Sequence, residues 1–196
     1  MSTQKRAAEP QERPPATPPV PGPRLWVFLA CEDSPKLCTA RRLVRLSLAK
    51  GLAVNGRAPA GALLLDPHSP RILSSRDAAA ASRLGIVAVD CSWNRLGDRG
   101  SFPEPLSRSL RHLEARRLPF LLAANAQHYG RLGELNTAEA LGAAVYLTLG
   151  REVAEAYFLR LSGGSGLLKL NEGPLEEYAG AGSDEEILAI ERRYFG

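Results

Sequence analysis

Cysteine is scarce in this sequence, with only three residues among 196: Cys31, Cys38 and Cys91. An odd number of cysteines, together with an N-terminus that lacks the apolar stretch of a secretory signal, predicts a reducing, intracellular setting. No apolar run approaches the roughly 20 residues that a membrane-spanning helix requires. We therefore expect a cytoplasmic protein with no membrane segment.

Motifs for metal ions and nucleotides are also missing. Cys31 and Cys38 are seven positions apart and the three histidines lie elsewhere in the chain, whereas a structural zinc ion usually takes four closely spaced ligands. Neither G-x-G-x-x-G nor the phosphate-binding motif G-x-x-x-x-G-K-[ST] occurs. The glycine-rich stretch SGGSG at residues 162–166 is better explained as a flexible turn. We therefore expect no metal ion and neither of these phosphate-binding loops.

Acidic residues are outnumbered in the first three quarters of the chain. Residues 1–150 carry 20 Lys and Arg against 12 Asp and Glu, whereas residues 151–196 carry 5 against 9. Six basic residues and no acid lie between positions 36 and 57, and a second basic set lies between positions 95 and 117. These sets are either solvated helix faces or a surface for a polyanion, and the segregation of charge favours RNA. The expected RNA contacts are Lys36, Arg41, Arg42 and Arg45.

Large apolar residues are almost absent from residues 1–23, which contain seven of the fifteen prolines. Such a segment cannot bury enough apolar surface to offset the entropy that is lost when a chain becomes ordered. We therefore expect a disordered, proline-rich tail at residues 1–23.

Short, continuous apolar runs follow the tail. The runs LWVFLA, GALLLD and IVAVD are typical of buried strands. They lie at residues 25–30, 61–66 and 86–90. One helix is expected from Thr39 to a stop at Gly51, and a capped, alanine-rich helix is expected at residues 74–85. Strands that alternate with helices and are apolar throughout predict a parallel sheet covered on both faces.

The pattern becomes helical beyond residue 97. Residues 101–117 look helical, and further amphipathic helices follow, the first of them capped by Asn136 or Thr137. We therefore predict an α/β protein with a parallel-sheet domain at residues 24–116 and a mostly helical domain at residues 117–196 that closes the site.

Polar residues collect where two of the apolar runs end. Asp66 and Pro67 follow one run, and the other runs directly into DCSW, which begins with Asp90 and ends with Trp93. Ligands of open parallel sheets bind beyond the carboxyl ends of the strands, so we expect a site here. Asp90 either accepts a proton or caps the following turn, and Trp93 is either core or a platform for a flat ligand. Residue chemistry alone leaves these alternatives open.

Three stretches together resemble one known family. They are EDSPKLCTARRL, LLLDPHSPRILSSRDAAAASRLGIVAVDCSWN and RRLPFLLAANAQHYGRLGELNTAEALGAAVYLTLG, and the segment LLKLNEGPLEEYAGAGSDEEI is similar too. Over roughly residues 25–190 the chain resembles the small-subunit ribosomal RNA aminocarboxypropyltransferases. The combination of VDCSW with LPFLLAAN at this distance makes the resemblance specific.

The resemblance implies an enzyme that uses S-adenosylmethionine as its co-substrate. It would transfer the 3-amino-3-carboxypropyl group to N3 of a uridine or pseudouridine in small-subunit rRNA and release 5′-methylthioadenosine. The implied fold is similar to that of the SPOUT methyltransferases, with a deep trefoil knot, which general rules on chain topology would not suggest. The implied partner is small-subunit rRNA or a pre-ribosomal particle, bound by a monomer.

The resemblance also implies roles for site residues. Thr39, through its backbone N–H, and Thr137 would hold the carboxylate of the methionine moiety, and Val89 would offer backbone groups to the ribose. Asp90 is the candidate base for the N3 proton. The residues that would line the rest of the cofactor pocket are Leu65, Pro67, Trp93, Leu118, Leu122, Leu135 and Ala140.

Two positions depart from the family pattern. Ala40 stands where a glycine often follows Cys-Thr, and residues 125–130 read NAQHYG where NPxNYG is usual. We expect both changes to alter the local geometry of loops near the site. Two other functions fit the same features: a SPOUT-type RNA methyltransferase that moves the methyl group, and a non-catalytic RNA-binding factor in ribosome assembly.

Overall fold

The computed structural model of the chain describes residues 23–30, 38–90, 102, 104, 106–161 and 165–196. Residues 1–22 of the expected tail, most of the glycine-rich stretch and two of the predicted site residues, Lys36 and Trp93, lie outside the described residues.

Five parallel strands form one sheet in the described part of the chain, in the order β2-β1-β4-β3-β5. The strands are β1 (Leu25–Leu29), β2 (Lys50–Leu52), β3 (Leu63–Leu65), β4 (Ile86–Asp90) and β5 (Glu114–Arg116). The central strand β4 pairs with β1 from Leu25 opposite Ile86 to Leu29 opposite Asp90. The parallel sheet and its three apolar strands are therefore confirmed.

The two edge strands correct the sequence-based prediction. Gly51, which was expected to end a helix, lies in β2, and residues 114–116, which were expected to be helical, form β5. The first helix, α1 (Thr39–Arg45), ends earlier than expected because Ser47 adopts a left-handed conformation with φ of 52°. Such a conformation cannot continue a right-handed helix.

Helices cover both faces of the sheet. In the described residues they are α1, α2 (Ala78–Arg83), α3 (Leu106–Leu110), α4 (Thr137–Leu149), α5 (Arg151–Leu159), α6 (Ser165–Leu170), α7 (Glu172–Gly180) and α8 (Asp184–Phe195), with a 3-10 turn at Ser75–Asp77. One face of the sheet shares a buried core with α4, which contributes Leu141, and with α8. The other face packs on Leu106 and Leu110 of α3. Of the predicted glycine-rich turn, Ser165 and Gly166 instead belong to α6.

Helix α4 is the central helix of the C-terminal part. It begins with a capping box, in which the Asn136 side chain accepts a hydrogen bond from the Glu139 N–H at 2.9 Å and the Glu139 carboxylate accepts one from the Asn136 N–H at 3.0 Å. This cap confirms Asn136 as the start and fixes Thr137 as the first helical residue. The division of the chain into two domains at residue 116 stays a prediction.

Among the described residues, no helix combines the length and the apolar character needed to cross a membrane.

We expect Gly85→Ala to destabilise the fold strongly. Gly85 precedes β4 with φ of 99°, and a methyl group there would overlap the backbone oxygen of Arg24. Strain and overlap together should lower the free energy of unfolding by about 2–5 kcal/mol. Urea denaturation measures the loss. Gly150→Ala is the matched control, because Gly150 has φ of 96° but open space where the methyl group would lie, and it should lose about 1–3 kcal/mol from strain alone. If Gly85→Ala and Gly150→Ala lose the same free energy of unfolding, steric overlap with Arg24 adds nothing at Gly85.

Candidate functional site

A cavity of about 330 Å³ lies beyond the carboxyl ends of β3 and β4. This volume is within the range of roughly 300–1,000 Å³ typical of small-molecule sites. Its walls come mainly from the ends of these strands, the segment between β5 and α4, and the starts of α1 and α4. The cavity therefore lies where ligands of open parallel sheets bind.

One wall of the cavity is apolar. Leu65 is the last residue of β3, and Pro67 follows it after Asp66. Facing parts of the lining come from the segment before α4 and from its first turn. The apolar residues that line the cavity include Leu65, Pro67, Val89, Leu118, Leu135 and Ala140. Such a wall suits a flat or aliphatic part of a ligand.

The other end of the cavity is polar and is organised around Asp90. The Thr137 hydroxyl donates a hydrogen bond to Asp90 Oδ1 at 2.9 Å. The Cys38 thiol donates to Asp90 Oδ2, also at 2.9 Å. Cys38 is the N-cap of α1 and accepts a hydrogen bond from the Arg41 N–H. The carboxylate at the end of β4 thus connects the N-cap residue of α1 with the first residue of α4.

Thr39 and Thr137 both line the cavity as the first residues of their helices. The N–H groups at a helix start have no partner within the helix and point outward from it. The polar end of the cavity therefore combines a carboxylate, which can accept a proton, with backbone donors, which can hold an anionic group.

The loop at 125–134 contributes several residues to the cavity lining. Asn125 Oδ1 accepts a hydrogen bond from the His128 N–H at 3.0 Å, so this side chain stabilises the turn at residues 125–128. The His128 ring contacts the Glu134 carboxylate, and both side chains are partly exposed. These contacts hold the loop at residues 125–130, where the sequence NAQHYG differs from the usual family pattern.

The structure brings most of the predicted pocket residues together. Nine of the described candidates line the cavity: Thr39, Leu65, Pro67, Val89, Asp90, Leu118, Leu135, Thr137 and Ala140. Leu122 does not line it, because its backbone is tied to the Asn171 side chain behind the wall. Sequence reasoning missed Arg117, Phe120 and Glu134, which also line the cavity. Their position close to Leu118 and Leu135 in the sequence was the available signal.

The two basic sets behave differently. Arg41, Arg42 and Arg45 are exposed on α1, the helix whose first residue lines the cavity. In the second set, Arg116 binds Asp77 at 3.1 Å and Arg117 binds Glu191 at 2.7 Å. Arg116 and Arg117 of the second set are thus engaged in ion pairs within the fold. The exposed arginines of α1 are therefore the stronger candidate for a polyanion surface.

No group of three or more metal-ligating side chains occurs within the described ranges.

Comparisons with a family model and with curated proteins identify one group of similar proteins. The family model described as "Ribosome biogenesis protein, C-terminal" matches residues 63–195. The chain is 38% identical over 170 residues to the 16S rRNA aminocarboxypropyltransferase of Methanosarcina acetivorans, covering 87% of this chain and 93% of the relative. It is 39% identical over 168 residues to the protein of the same name from Methanopyrus kandleri, covering 86% and 96%.

A solved structure is similar as well. The SAM-dependent rRNA:acp-transferase Tsr3 from Vulcanisaeta distributa superposes with a TM-score of 0.70 at 29% sequence identity. The match covers 87% of this chain and 97% of that chain. The structural similarity therefore covers most of both chains.

Proposed function

The chain belongs to the family of the 16S rRNA aminocarboxypropyltransferases, and on that premise we propose that it transfers the 3-amino-3-carboxypropyl group of S-adenosylmethionine to N3 of a uridine or pseudouridine in small-subunit rRNA. The observation that carries this proposal is the cavity, in which a carboxylate and two helix starts lie at one end and an apolar wall lies at the other. 5′-Methylthioadenosine is the expected second product.

The cavity residues fit S-adenosylmethionine. Leu65 and Pro67, with Leu118, Leu135 and Ala140 opposite, form an apolar slot for the adenine. Val89, the penultimate residue of β4, offers backbone groups for the ribose. Thr39 and Thr137 would hold the carboxylate of the amino acid end. Trp93 is proposed to lie against the cofactor as well, since in the sequence it stands three positions after the last residue of β4.

The contact between Thr137 and Asp90 refines one assignment. A hydroxyl group has a single hydrogen to donate, and the Thr137 hydroxyl donates it to Asp90 Oδ1. The Thr137 side chain therefore has only acceptor capacity left for a ligand. We propose that Thr137 reaches the carboxylate of the methionine moiety through its backbone N–H, as Thr39 does, because both are first residues of helices.

Asp90 is the proposed base for the reaction. When bound, S-adenosylmethionine supplies an electrophilic carbon next to its sulfonium, and N3 of the nucleotide must lose its proton to attack it. The Asp90 carboxylate lies in the cavity, and the donors Cys38 and Thr137 fix its orientation. Each carboxylate oxygen has two acceptor sites, so the carboxylate can accept these hydrogen bonds and still take the N3 proton.

RNA would approach along α1. Arg41, Arg42 and Arg45 are exposed there, and in the described part of the chain no ion pair joins Arg41 or Arg45 to a carboxylate. Lys36 precedes the helix and is proposed to belong to the same surface. Arginines attract phosphate groups without reading the sequence. This surface would hold the RNA while the target base enters the cavity.

The finer features of the fold and setting belong to the same proposal. We propose that the parallel sheet and the C-terminal helices form the SPOUT-like fold with a deep trefoil knot, supported by the similarity to Tsr3. We also propose that the protein acts as a monomer in the cytoplasm.

The nucleoside product tests the reaction type. The protein is incubated with S-adenosylmethionine and small-subunit rRNA that lacks the modification, and the low-molecular-weight products are separated by chromatography. Transfer of the aminocarboxypropyl group predicts 5′-methylthioadenosine in proportion to rRNA modified. S-Adenosylhomocysteine would instead identify a methyltransferase, and the absence of both products would contradict an enzymatic role.

A further inference from the structure

The segment 117–125, called here the wall segment, connects β5 to the loop before α4 and forms one side of the cavity. Its residues Leu118, Pro119, Phe120 and Leu121 line the cavity. It belongs to no named helix or strand, and Leu122 forms only an isolated antiparallel bridge with Leu132. The segment is only partly buried, and its buried backbone groups, outside regular structure, must find hydrogen-bond partners by other means.

Asn171, between α6 and α7, binds both backbone groups of Leu122, as a residue of a neighbouring strand would. Its Oδ1 accepts a hydrogen bond from the Leu122 N–H at 2.7 Å, and its Nδ2 donates to the Leu122 carbonyl oxygen at 2.9 Å. The second Nδ2 hydrogen goes to the Leu167 carbonyl oxygen at 3.0 Å. Asn171 is 0% exposed. A fully buried amide with all its hydrogens engaged holds the backbone at Leu122 in one position.

Glu191 of α8 fixes the beginning of the wall segment. Its carboxylate accepts a hydrogen bond from the Phe120 N–H at 3.0 Å and receives both Nη groups of Arg117, at 2.7 and 3.1 Å. Glu191 is 4% exposed. Charge-assisted, bidentate contacts of this kind are among the stronger hydrogen bonds in proteins.

Two further side chains complete the set. The Tyr178 hydroxyl of α7 donates to the Phe120 carbonyl oxygen at 3.2 Å, and burial raises the pKa of this hydroxyl, so it stays a donor. Glu139 of α4 accepts a hydrogen bond from the Ala124 N–H at 2.9 Å. Four helix-borne side chains, from α4, the α6–α7 junction, α7 and α8, thus hold the wall segment.

We propose that Glu139, Asn171, Tyr178 and Glu191 are positioning residues, which hold the wall segment in the conformation that accepts the co-substrate. The inference rests on the proposed function, because it concerns the same cavity. None of the three C-terminal residues among them, Asn171, Tyr178 and Glu191, lines the cavity. They act through the backbone of Phe120 and Leu122, to which they bond directly, and Phe120 lines the cavity.

Two variants of the full chain test the proposal. Tyr178→Phe removes one hydrogen bond to the wall segment and keeps the ring, and Asn171→Leu removes both bonds to Leu122 at nearly constant volume. Freed wall conformations reduce the binding-competent fraction, so the dissociation constant for S-adenosylmethionine should rise roughly 2- to 10-fold for Tyr178→Phe and about tenfold or more for Asn171→Leu. Amide hydrogen exchange at Phe120 and Leu122 should become faster in both variants without ligand.

The control is Leu110→Ala, which removes buried side-chain volume from the core on the opposite face of the sheet. It should lower the melting temperature without changing exchange at Phe120 and Leu122 or the dissociation constant at temperatures where the variant is folded. If Asn171→Leu does not fold, Tyr178→Phe decides alone.

The outcomes separate this proposal from the proposed function. Unchanged exchange at Phe120 and Leu122 in the folded variants would overturn the positioning role, and so would equal loss of affinity in Leu110→Ala. Wild-type protein that does not bind S-adenosylmethionine would overturn the proposed function, whatever the exchange rates show.

Discussion

An Asp90→Asn variant is expected to lose about 10²- to 10⁴-fold in the single-turnover rate of rRNA modification while it keeps its affinity for S-adenosylmethionine. The amide preserves the size of the side chain but not its capacity to take a proton. The hydrogen bonds at this position can persist, because the amide oxygen can accept from one partner and the amide N–H can donate to the other. Those partners are the Cys38 thiol and the Thr137 hydroxyl, both at 2.9 Å.

The same preparation tests the alternative that Asp90 has a structural role, as the cap of the following turn or as a link between α1 and α4. In that case the substitution should chiefly lower stability, by roughly 1 kcal/mol as for the loss of a helix cap, with a near-normal rate. Rapid-quench kinetics and a thermal melt on one sample measure both quantities. A near-normal rate with a lower melting temperature would show that Asp90 is not the base. Catalysis would then depend on the alignment of the two reactants in the cavity.

Replacing Arg41, Arg42 and Arg45 together by glutamine is expected to weaken binding to small-subunit rRNA and to flatten its salt dependence. Each lost phosphate contact lowers the slope of log affinity against log salt by about 1, so the slope should fall by about 2–3 for the triple variant. Affinity for S-adenosylmethionine should not change, because these side chains are exposed on α1 and do not line the cavity. Filter binding at several salt concentrations gives both the affinity and the slope.

The matched control replaces Arg108 and Arg111, which are equally exposed but share the carboxylate of Glu104. The hydrogen bond from Ser107, together with the charges of these two arginines, lowers the pKa of that carboxyl. Their positive charge is thus partly balanced within the fold, and the double glutamine variant should leave the salt slope nearly unchanged. If the slope of log affinity against log salt is the same for the α1 triple variant and the wild type, the α1 arginines form only a solvated helix surface and do not contact RNA phosphates.

The central strands could be predicted from the sequence because they are buried on both faces. LWVFL in β1 and IVAV in β4 are apolar without interruption, which is the pattern of a strand between two helical layers. The edge strands KGL and EAR carry charged residues, since one side of an edge strand meets solvent. Nothing in a three-residue polar segment distinguishes such a strand from a loop or a helix end.

The site was predictable where its residues end a strand or begin a helix. Asp90 follows an apolar run, and the capping pattern places Thr137 at the start of α4, although only the fold brings these residues together across 47 positions. The network behind the wall segment was not predictable. Asn171 and Glu191 lie in polar stretches that look solvent-exposed, and their partners Leu122 and Phe120 are 49 and 71 positions away.

The mass of the modified nucleoside is the most direct test of aminocarboxypropyl transfer to rRNA. Small-subunit rRNA from cells that lack this gene is incubated with the purified protein and S-adenosylmethionine, digested to nucleosides and analysed by mass spectrometry. We expect one uridine or pseudouridine to gain the mass of a 3-amino-3-carboxypropyl group, a gain that does not occur when the protein is omitted. A gain of one methyl group at that nucleotide, or no change of mass in rRNA that the protein binds, would contradict it.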